Sequence, residues 1–279
     1  MFDRVTGKPV WPIEERAVPI DTDVPGEKPY PTQPFPTKPP AFVSQGVLLE
    51  DANNLTPEIK RLAEEQLRKF RLGPIFTPPS LTGTLQRPAQ NGGANWGGAA
   101  FDPESGYLFI RAANQIGVNR VGKNNGSETL VPVDYSNVFA RGKDAAALTG
   151  GLPLISPPWA VLTAIDLNKG EIAWKVPLGE GNPAIRRHPL LKGITLPDRL
   201  GSPNNRGGAM VTRGGLVFIG GGDGYLYAFD KKNGREVWRG KIPYDNTSIP
   251  MTYRTRSGKQ FIVVATGTGA DNALVAFGL

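Results

Sequence analysis

Side chains that commonly carry out chemistry are scarce in this sequence, and the scarcity excludes more than it suggests. Among 279 residues there is one histidine and no cysteine. No disulfide, Fe–S cluster, zinc finger or cysteine nucleophile can form within it. His188, in Arg186-Arg187-His188-Pro189, cannot build a two-histidine metal site and reads as a solvated loop residue. Neither a serine elbow nor a phosphate-cradling GxxxxGK[ST] loop occurs. Asp223, in Gly220-Gly221-Gly222-Asp223-Gly224, is a carboxylate in a setting natural for a turn.

Charge and hydropathy narrow the class further. The net charge is +7, but the Lys and Arg are dispersed with no block of five or six like charges. That distribution argues against a nucleic-acid partner. No apolar run approaches the ~20 residues of a membrane span. The longest candidate, Leu152 to Ile165, is broken by Pro153, Pro157 and Pro158. Residues 1–8 lack the apolar stretch of a signal peptide and resemble the middle of a hairpin.

The elements that position these groups are repeats. Asp3-Arg-Val-Thr-Gly7-Lys-Pro-Val-Trp11 recurs as Asp166-Leu-Asn-Lys-Gly170-Glu-Ile-Ala-Trp174 and as Asp230-Lys-Lys-Asn-Gly234-Arg-Glu-Val-Trp238. Each copy obeys D-x-x-x-G-x-x-x-W, which predicts a β-hairpin. The Asp side chain caps the turn and the Gly supplies its positive φ. A Trp at a fixed place in every return strand predicts packing between neighbouring units.

A second hairpin type alternates with the first. Trp96-Gly97-Gly98-Ala99-Ala100-Phe101 returns through Gly106 to Tyr107-Leu108-Phe109-Ile110, and Arg206-Gly207-Gly208-Ala209-Met210-Val211 returns through Gly215 to Leu216-Val217-Phe218-Ile219. A looser third copy starts at Pro250-Met251-Thr252-Tyr253 and returns through Phe261 to Ala265. Two hairpins make a four-stranded blade, so the fold class is all-β, a β-propeller of four-stranded blades. One blade is expected over 96–112 and 159–176, the next over 207–221 and 225–240, and a third from its first hairpin plus Ala273–Phe277. Propellers close with about 4–8 blades, so the chain is expected to be part of one.

Two segments interrupt the blades. Of the 27 prolines, 15 fall in residues 1–90, and residues 12–90 read as a Pro-rich insertion with one helix near 57–71. Thr56 is its N-cap, Pro57 its first residue, Ile59, Leu62, Ala63, Leu67 and Phe70 its apolar stripe, and Gly73 its stop. Lys60–Glu64 and Glu64–Arg68 are spaced for ion pairs on its wet face. The helix is expected to pack against the propeller without chemistry of its own. Residues 113–158 form an Asn- and Gly-rich excursion inside one blade, and loops of that length are usually functional.

With the repeats laid out, the chain resembles the pyrroloquinoline-quinone (PQQ) dehydrogenases, which carry tryptophan-docking repeats of this form. Within them it resembles the membrane-bound quinoprotein glucose dehydrogenases. Phe2-Asp3-Arg4, Thr6-Gly7-Lys8-Pro9, Pro31-Thr32-Gln33-Pro34-Phe35, Phe76-Thr77-Pro78-Pro79-Ser80, Trp96-Gly97-Gly98 and Pro250-Met251-Thr252-Tyr253 carry that resemblance. It implies an eight-bladed propeller holding PQQ on its axis with a divalent cation, Ca or Mg. It also implies hydride transfer from a sugar or polyol carbon to PQQ, with electrons passed to ubiquinone or a cytochrome. The location it implies is periplasmic, with inner-membrane association through a segment missing here.

Carried over residue by residue, the resemblance implies that Asn114 contacts the cofactor, with an amide able to donate and accept at a quinone rim. Trp96 would face the axis or serve as core, core being the simpler expectation. Asp223 matches an acidic residue near the substrate end, and Asn204 and Arg206 are weaker candidates at the same end of a blade. The family's cofactor-contacting Lys, catalytic Asp, cation ligands and stacking Trp would all precede Met1. No catalytic residue or metal ligand is therefore assigned here, and the chain alone is expected to be inactive without further blades N-terminal to it. The His that glucose enzymes carry near the last strand is missing around Gly267-Thr268-Gly269, so the expected substrate is a glucose-like aldose or a polyol and need not be glucose itself. The alternatives are a non-catalytic propeller scaffold for protein–protein contact in the cell envelope, and a free-standing half-propeller that binds sugar.

Overall fold

The computed structural model describes residues 1–124, 134–138, 146–203, 207–245 and 248–278. In chain order its elements are β1 (Ile13–Ala17), β2 (Thr32–Pro36), α1 (Pro57–Leu67), β3 (Thr84–Gln86), β4 (Ala99–Asp102) and β5 (Tyr107–Ala113). They continue with β6 (Gly117–Lys123), β7 (Tyr135–Val138), β8 (Ala160–Asp166), β9 (Glu171–Pro177) and the short α2 (Pro183–Arg186). The chain ends with β10 (Ala209–Val211), β11 (Leu216–Gly220), β12 (Tyr225–Asp230), β13 (Glu236–Lys241), β14 (Met251–Arg254), β15 (Gln260–Thr268) and β16 (Asp271–Gly278). These elements divide into two compact units.

The unit made of residues 93–114, 157–187 and 193–279 holds the blades. Its sheets run β4-β5-β8-β9, β10-β11-β12-β13 and β14-β15-β16, every pairing antiparallel. The two complete blades and the three-stranded third follow the repeats closely.

Strand alternation explains how the blades stack. Successive side chains point to opposite faces, so β11 sends Val217 and Ile219 one way and Phe218 the other. β12 does likewise, with Tyr227 and Phe229 opposed to Leu226 and Ala228. One set joins Phe109, Leu162 and Trp174 of the first blade. The other joins Ile262 and Val264 of the third sheet. A central blade is thus apolar on both faces, which is why its strands show no polar alternation.

The capped turns form as their sequence dictates. Asp166 Oδ1 accepts from the backbone N–H of Asn168 at 3.0 Å, and Asp230 Oδ1 from that of Lys232 at 2.7 Å. Asp3 Oδ1 accepts from Thr6 at 2.7 Å. Gly7, Gly170 and Gly234 have φ of 71°, 67° and 72°. Trp174 pairs with Ala164 and Trp238 with Ala228, each beside a bulge at the same place in its hairpin.

The other unit comprises residues 1–92, 115–156 and 188–192. It shows what pattern reading leaves as connection and loop. β1 and β2 form a hairpin, and β3 of the Pro-rich segment joins β6 and β7 of the excursion in one sheet. Asn53 Nδ2 donates to the Pro153 carbonyl at 2.8 Å, tying the two segments again. Thr56 caps α1 by accepting from Ile59 N–H at 3.1 Å, and Ile59, Ala63 and Leu67 are buried. The helix stops at Leu67, short of residue 71, because Arg71 exchanges backbone hydrogen bonds with Gly83 and Leu85 and draws the chain into an extended path. Glu64 stands 3.9 Å from Lys60, while the second ion pair on this face is Arg61–Glu65 and not Glu64–Arg68, since Arg68 already lies at the C-cap.

The lone histidine is a correction. His188 is 8% exposed, not solvated. Its Nε2 lies 2.9 Å from the Thr149 carbonyl oxygen, and its Nδ1 accepts from Leu190 N–H at 3.2 Å. Both ring nitrogens are committed to backbone, so the residue is a strut between two turns.

Candidate functional site

Asp223 sits in the connection between β11 and β12, and the strand it leads into supplies its first partner. Tyr227 Oη donates to Asp223 Oδ2 at 2.7 Å, and the Glu180 backbone N–H donates to the same oxygen at 2.6 Å. Asp223 Oδ1 is buried and has no hydrogen-bond partner among the described residues. Burial pushes the Asp223 carboxyl above the ordinary carboxylate range; the Glu180 N–H and Tyr227 hydroxyl pull only part of that back. The same burial, with the Asp223 charge beside it, raises Tyr227 and keeps it a hydrogen-bond donor. Glycine is required at 221, where a Cβ would run into both the Tyr227 ring and Asp223 Oδ1.

The Asp223 carboxyl helps line a cavity of about 330 Å³, together with Asn182, Ser202, Pro203, Tyr244 and Asp245. Among the described residues, neither Lys nor Arg lines it. Glu180 turns its own carboxylate outward to Arg239, whose guanidinium carbon lies 5.2 Å from the centre of the Tyr225 ring. The cavity wall is pinned in two ways: Ser202 Oγ accepts from Gly181 N–H at 3.1 Å, and Arg111 Nη2 donates to the Pro203 carbonyl at 2.7 Å.

Arg111 was not apparent from the motifs, although a signal existed. Residues 109, 111 and 113 share one face of β5, and its neighbours Phe109 and Ala113 there are buried. An Arg in that row has to find polar partners, and it finds the carbonyls of Ser202 and Pro203. Its Nε is buried without a partner, and it makes no ion pair among the described residues. Burial draws its pKa down to about 10.

Asn114 ends the same stretch of chain and is 9% exposed. Its backbone N–H donates to the Trp159 carbonyl at 2.8 Å and its Nδ2 to the Pro158 carbonyl at 2.9 Å. Part of its amide is therefore spent on holding the chain where the excursion leaves and rejoins the blade. Trp96 contradicts the expectation of a core ring, being 87% exposed. The cause is the backbone beside it: a Cβ at Gly208 would collide with the Gly97 carbonyl, so the two Gly-Gly segments meet directly and leave the indole outside. Asn204 and Arg206 lie outside the described residues.

The cavity can receive hydroxyl groups and exchange a proton with one of them. Asp223 and Asp245 accept, Asn182 both donates and accepts, and a carboxyl held up by burial changes protonation state closer to neutrality than a free one. Among the described residues no three His, Cys, Asp or Glu side chains gather to hold a metal. These residues do not fit a cation site.

Comparison with known proteins gives the family of the chain. The chain is 32% identical over 288 residues to the quinate/shikimate dehydrogenase (quinone) of Acinetobacter baylyi, covering 96% of this chain and 34% of that one. It is 32% identical to the glycerol dehydrogenase large subunit of Gluconobacter thailandicus, covering 100% and 41%. To the quinoprotein glucose dehydrogenase of Escherichia coli it is 29% identical, covering 96% and 34%. The chain thus spans between about one third and two fifths of the length of these relatives, and their identities do not single out glucose. No described helix is long and apolar enough to cross a membrane. Residues 1–262 match the PQQ family model described as the β-propeller domain of glucose/ethanol/alcohol dehydrogenases, and the chain belongs to that family.

Proposed function

We propose that this chain forms the C-terminal blades of a PQQ-dependent dehydrogenase that oxidises a sugar or polyol, with Asp223 at the substrate end and Asn114 and Arg111 toward the cofactor. The observation that carries this reading is the Asp223 cavity. Its polar lining consists of groups that bind hydroxyls, with no cationic side chain among the described residues, and its principal carboxyl is raised by burial.

The residues fit the cofactor on one structural ground. PQQ is a tricarboxylate, and Arg111 is a buried cation with an unsatisfied Nε and no carboxylate partner among the described residues. A buried charge left that way is unfavourable unless an anion meets it. When bound, PQQ supplies a two-electron acceptor for the hydride of a C–H beside a hydroxyl. The protein's part is to bind and orient. Arg111 fixes the Ser202–Pro203 wall, Asn114 offers its amide at the quinone rim, and the exposed Trp96 indole is free to face the propeller axis. Asp223 and Asp245 accept from substrate hydroxyls. The base for the reacting hydroxyl, the Ca or Mg ion and its ligands come from elsewhere in the propeller. Ubiquinone or a cytochrome takes the electrons, on the periplasmic side of the inner membrane.

The test is reconstitution. Assembled with the remaining blades and loaded with PQQ and Ca or Mg, the protein should reduce an artificial dye with a sugar or polyol, and the chain alone should not. Absence of PQQ-dependent reduction across sugars, glycerol and quinate would overturn the reading.

A further inference from the structure

A second cavity, of about 490 Å³, lies wholly within the unit that carries no blade. That volume falls within the range of about 300–1,000 Å³ usual for small-ligand sites. Its apolar walls are the rings of Tyr30 and Phe76 and several prolines, with Val18, Ile75 and Leu85 between them. Its polar lining includes three amides, Gln33 on β2, Gln86 on β3 and Asn119 on β6. None of the three makes a side-chain hydrogen bond to another described residue. Fixed charge nearly cancels: among the described residues one Arg and one Glu line the cavity, Arg87 Nη2 being paired with Asp51 at 2.9 Å while its Nε is buried without a partner, and Glu27 receiving the Thr22 hydroxyl.

The wall is held in advance of any ligand. Phe76 has φ of 68°, a left-handed conformation in which an aromatic residue is an outlier and Gly or Asn would be natural. It is kept there by the turn Pro74–Thr77, closed by Thr77 Oγ1 donating to the Pro74 carbonyl at 2.7 Å. The ring then meets Phe35 edge-on at 5.6 Å and remains 44% exposed. The strained backbone thus displays an aromatic ring at the cavity instead of burying it.

We infer that this cavity is a binding site for an uncharged saccharide, separate from the Asp223 site. An amide side chain both donates and accepts, and so does a hydroxyl; three amides around one cavity match a ligand with several hydroxyls. A simple quinone, whose polar groups are carbonyl acceptors, would answer the amide N–H groups and leave the amide oxygens unanswered. Tyr30, Phe76 and the proline rings pack against the C–H faces of a sugar ring, and the near-cancelled charge favours a neutral one. The site does not rest on the dehydrogenase reading, because none of its residues is assigned to the cofactor or to the oxidised substrate.

Saturation-transfer NMR and calorimetric titration of the intact chain with maltose, without PQQ, test the inference. Maltose should bind, and Phe76→Gly should weaken binding at least tenfold while preserving the turn, since glycine accepts the same φ. Gln33→Ala, on the short hairpin, should weaken it several-fold, with the far-UV spectrum unchanged in both variants. Absence of maltose binding would overturn the inference, as would undiminished binding in both variants. So would a p-benzoquinone probe that competes maltose out with higher affinity.

Discussion

Trp174 Nε1 donates to the backbone carbonyl of Lys231 at 3.0 Å, so the repeated indole of one hairpin is fastened to the capped turn of the next. The ring also covers that turn's glycine: a Cβ on Gly234 would lie 2.6 Å from the indole. Trp174 of one copy and the Asp230-to-Gly234 turn of the next are thereby partners across blades.

Gly234→Ala should destabilise the chain on two counts, a side chain at positive φ and overpacking against Trp174. Together these cost about 2–4 kcal/mol. Trp174→Ala should cost about 3–5 kcal/mol. Denaturant unfolding of each variant checks both figures, and the double variant should lose less than their sum because the two residues touch.

A second inter-blade link is ionic and gives a pH signature. Lys231 Nζ lies 2.8 Å from Asp102 Oδ2, with the two side chains 12% and 5% exposed. Burial raises the Asp102 carboxyl, but hydrogen bonds from Lys231 and Ser105 outweigh it and hold the group below its usual range. A depressed carboxyl contributes stability above its unfolded pKa of ~3.9 and loses it as pH falls through the folded value. Acid unfolding should therefore steepen below about pH 4. Asp102→Asn should flatten that limb and lower stability at pH 7.

Asp223 has the opposite sign. Its raised carboxyl favours the folded state most when protonated, and this contribution fades as pH climbs from ~3.9 through the folded pKa. Asp223→Asn keeps an oxygen for the Tyr227 hydroxyl and the Glu180 N–H and removes the buried charge. It should melt at or above the parent temperature at pH 7–8, with the advantage vanishing near pH 4, and should lose substrate oxidation. Thermal melts at the two pH values and dye reduction decide this.

Much of the fold was legible because the repeat carries its own physics. An Asp that caps, a Gly that takes positive φ and a Trp at fixed spacing each act locally, and Asp166, Gly170 and Trp174 do what their types require. The sheet β3-β6-β7 was not legible, since β3 has three residues and its partner lies in a distant segment. Trp96 and His188 misled for a related reason. The Gly-Gly hairpin motif around Trp96 does not encode the contact between Gly97 and Gly208 beside its indole, and no repeat surrounds His188, whose ring is held by the Thr149 carbonyl and the Leu190 N–H. In the site, Asp223 was visible as a residue, but Tyr227, Glu180 and Arg111 became its setting through pairings between blades and connections.

Arg111→Met should lower the apoprotein's melting temperature only slightly, because relief of a cation without a carboxylate partner offsets the lost hydrogen bonds to the Ser202 and Pro203 carbonyls. Its PQQ requirement should rise at least tenfold. Differential scanning calorimetry of the apoprotein beside a PQQ titration of activity separates the two effects.

The division of roles between Asn114 and Asp223 is tested most directly by measuring PQQ half-saturation and substrate KM side by side in the reconstituted dehydrogenase. Asn114→Asp should raise the PQQ concentration required at least tenfold and leave substrate KM within about twofold. Asp223→Asn should leave PQQ half-saturation nearly unchanged and lower kcat/KM at least a hundredfold, about 2.7 kcal/mol of transition-state stabilisation. Variants that shift both constants alike, or neither, would contradict the placement of the two residues.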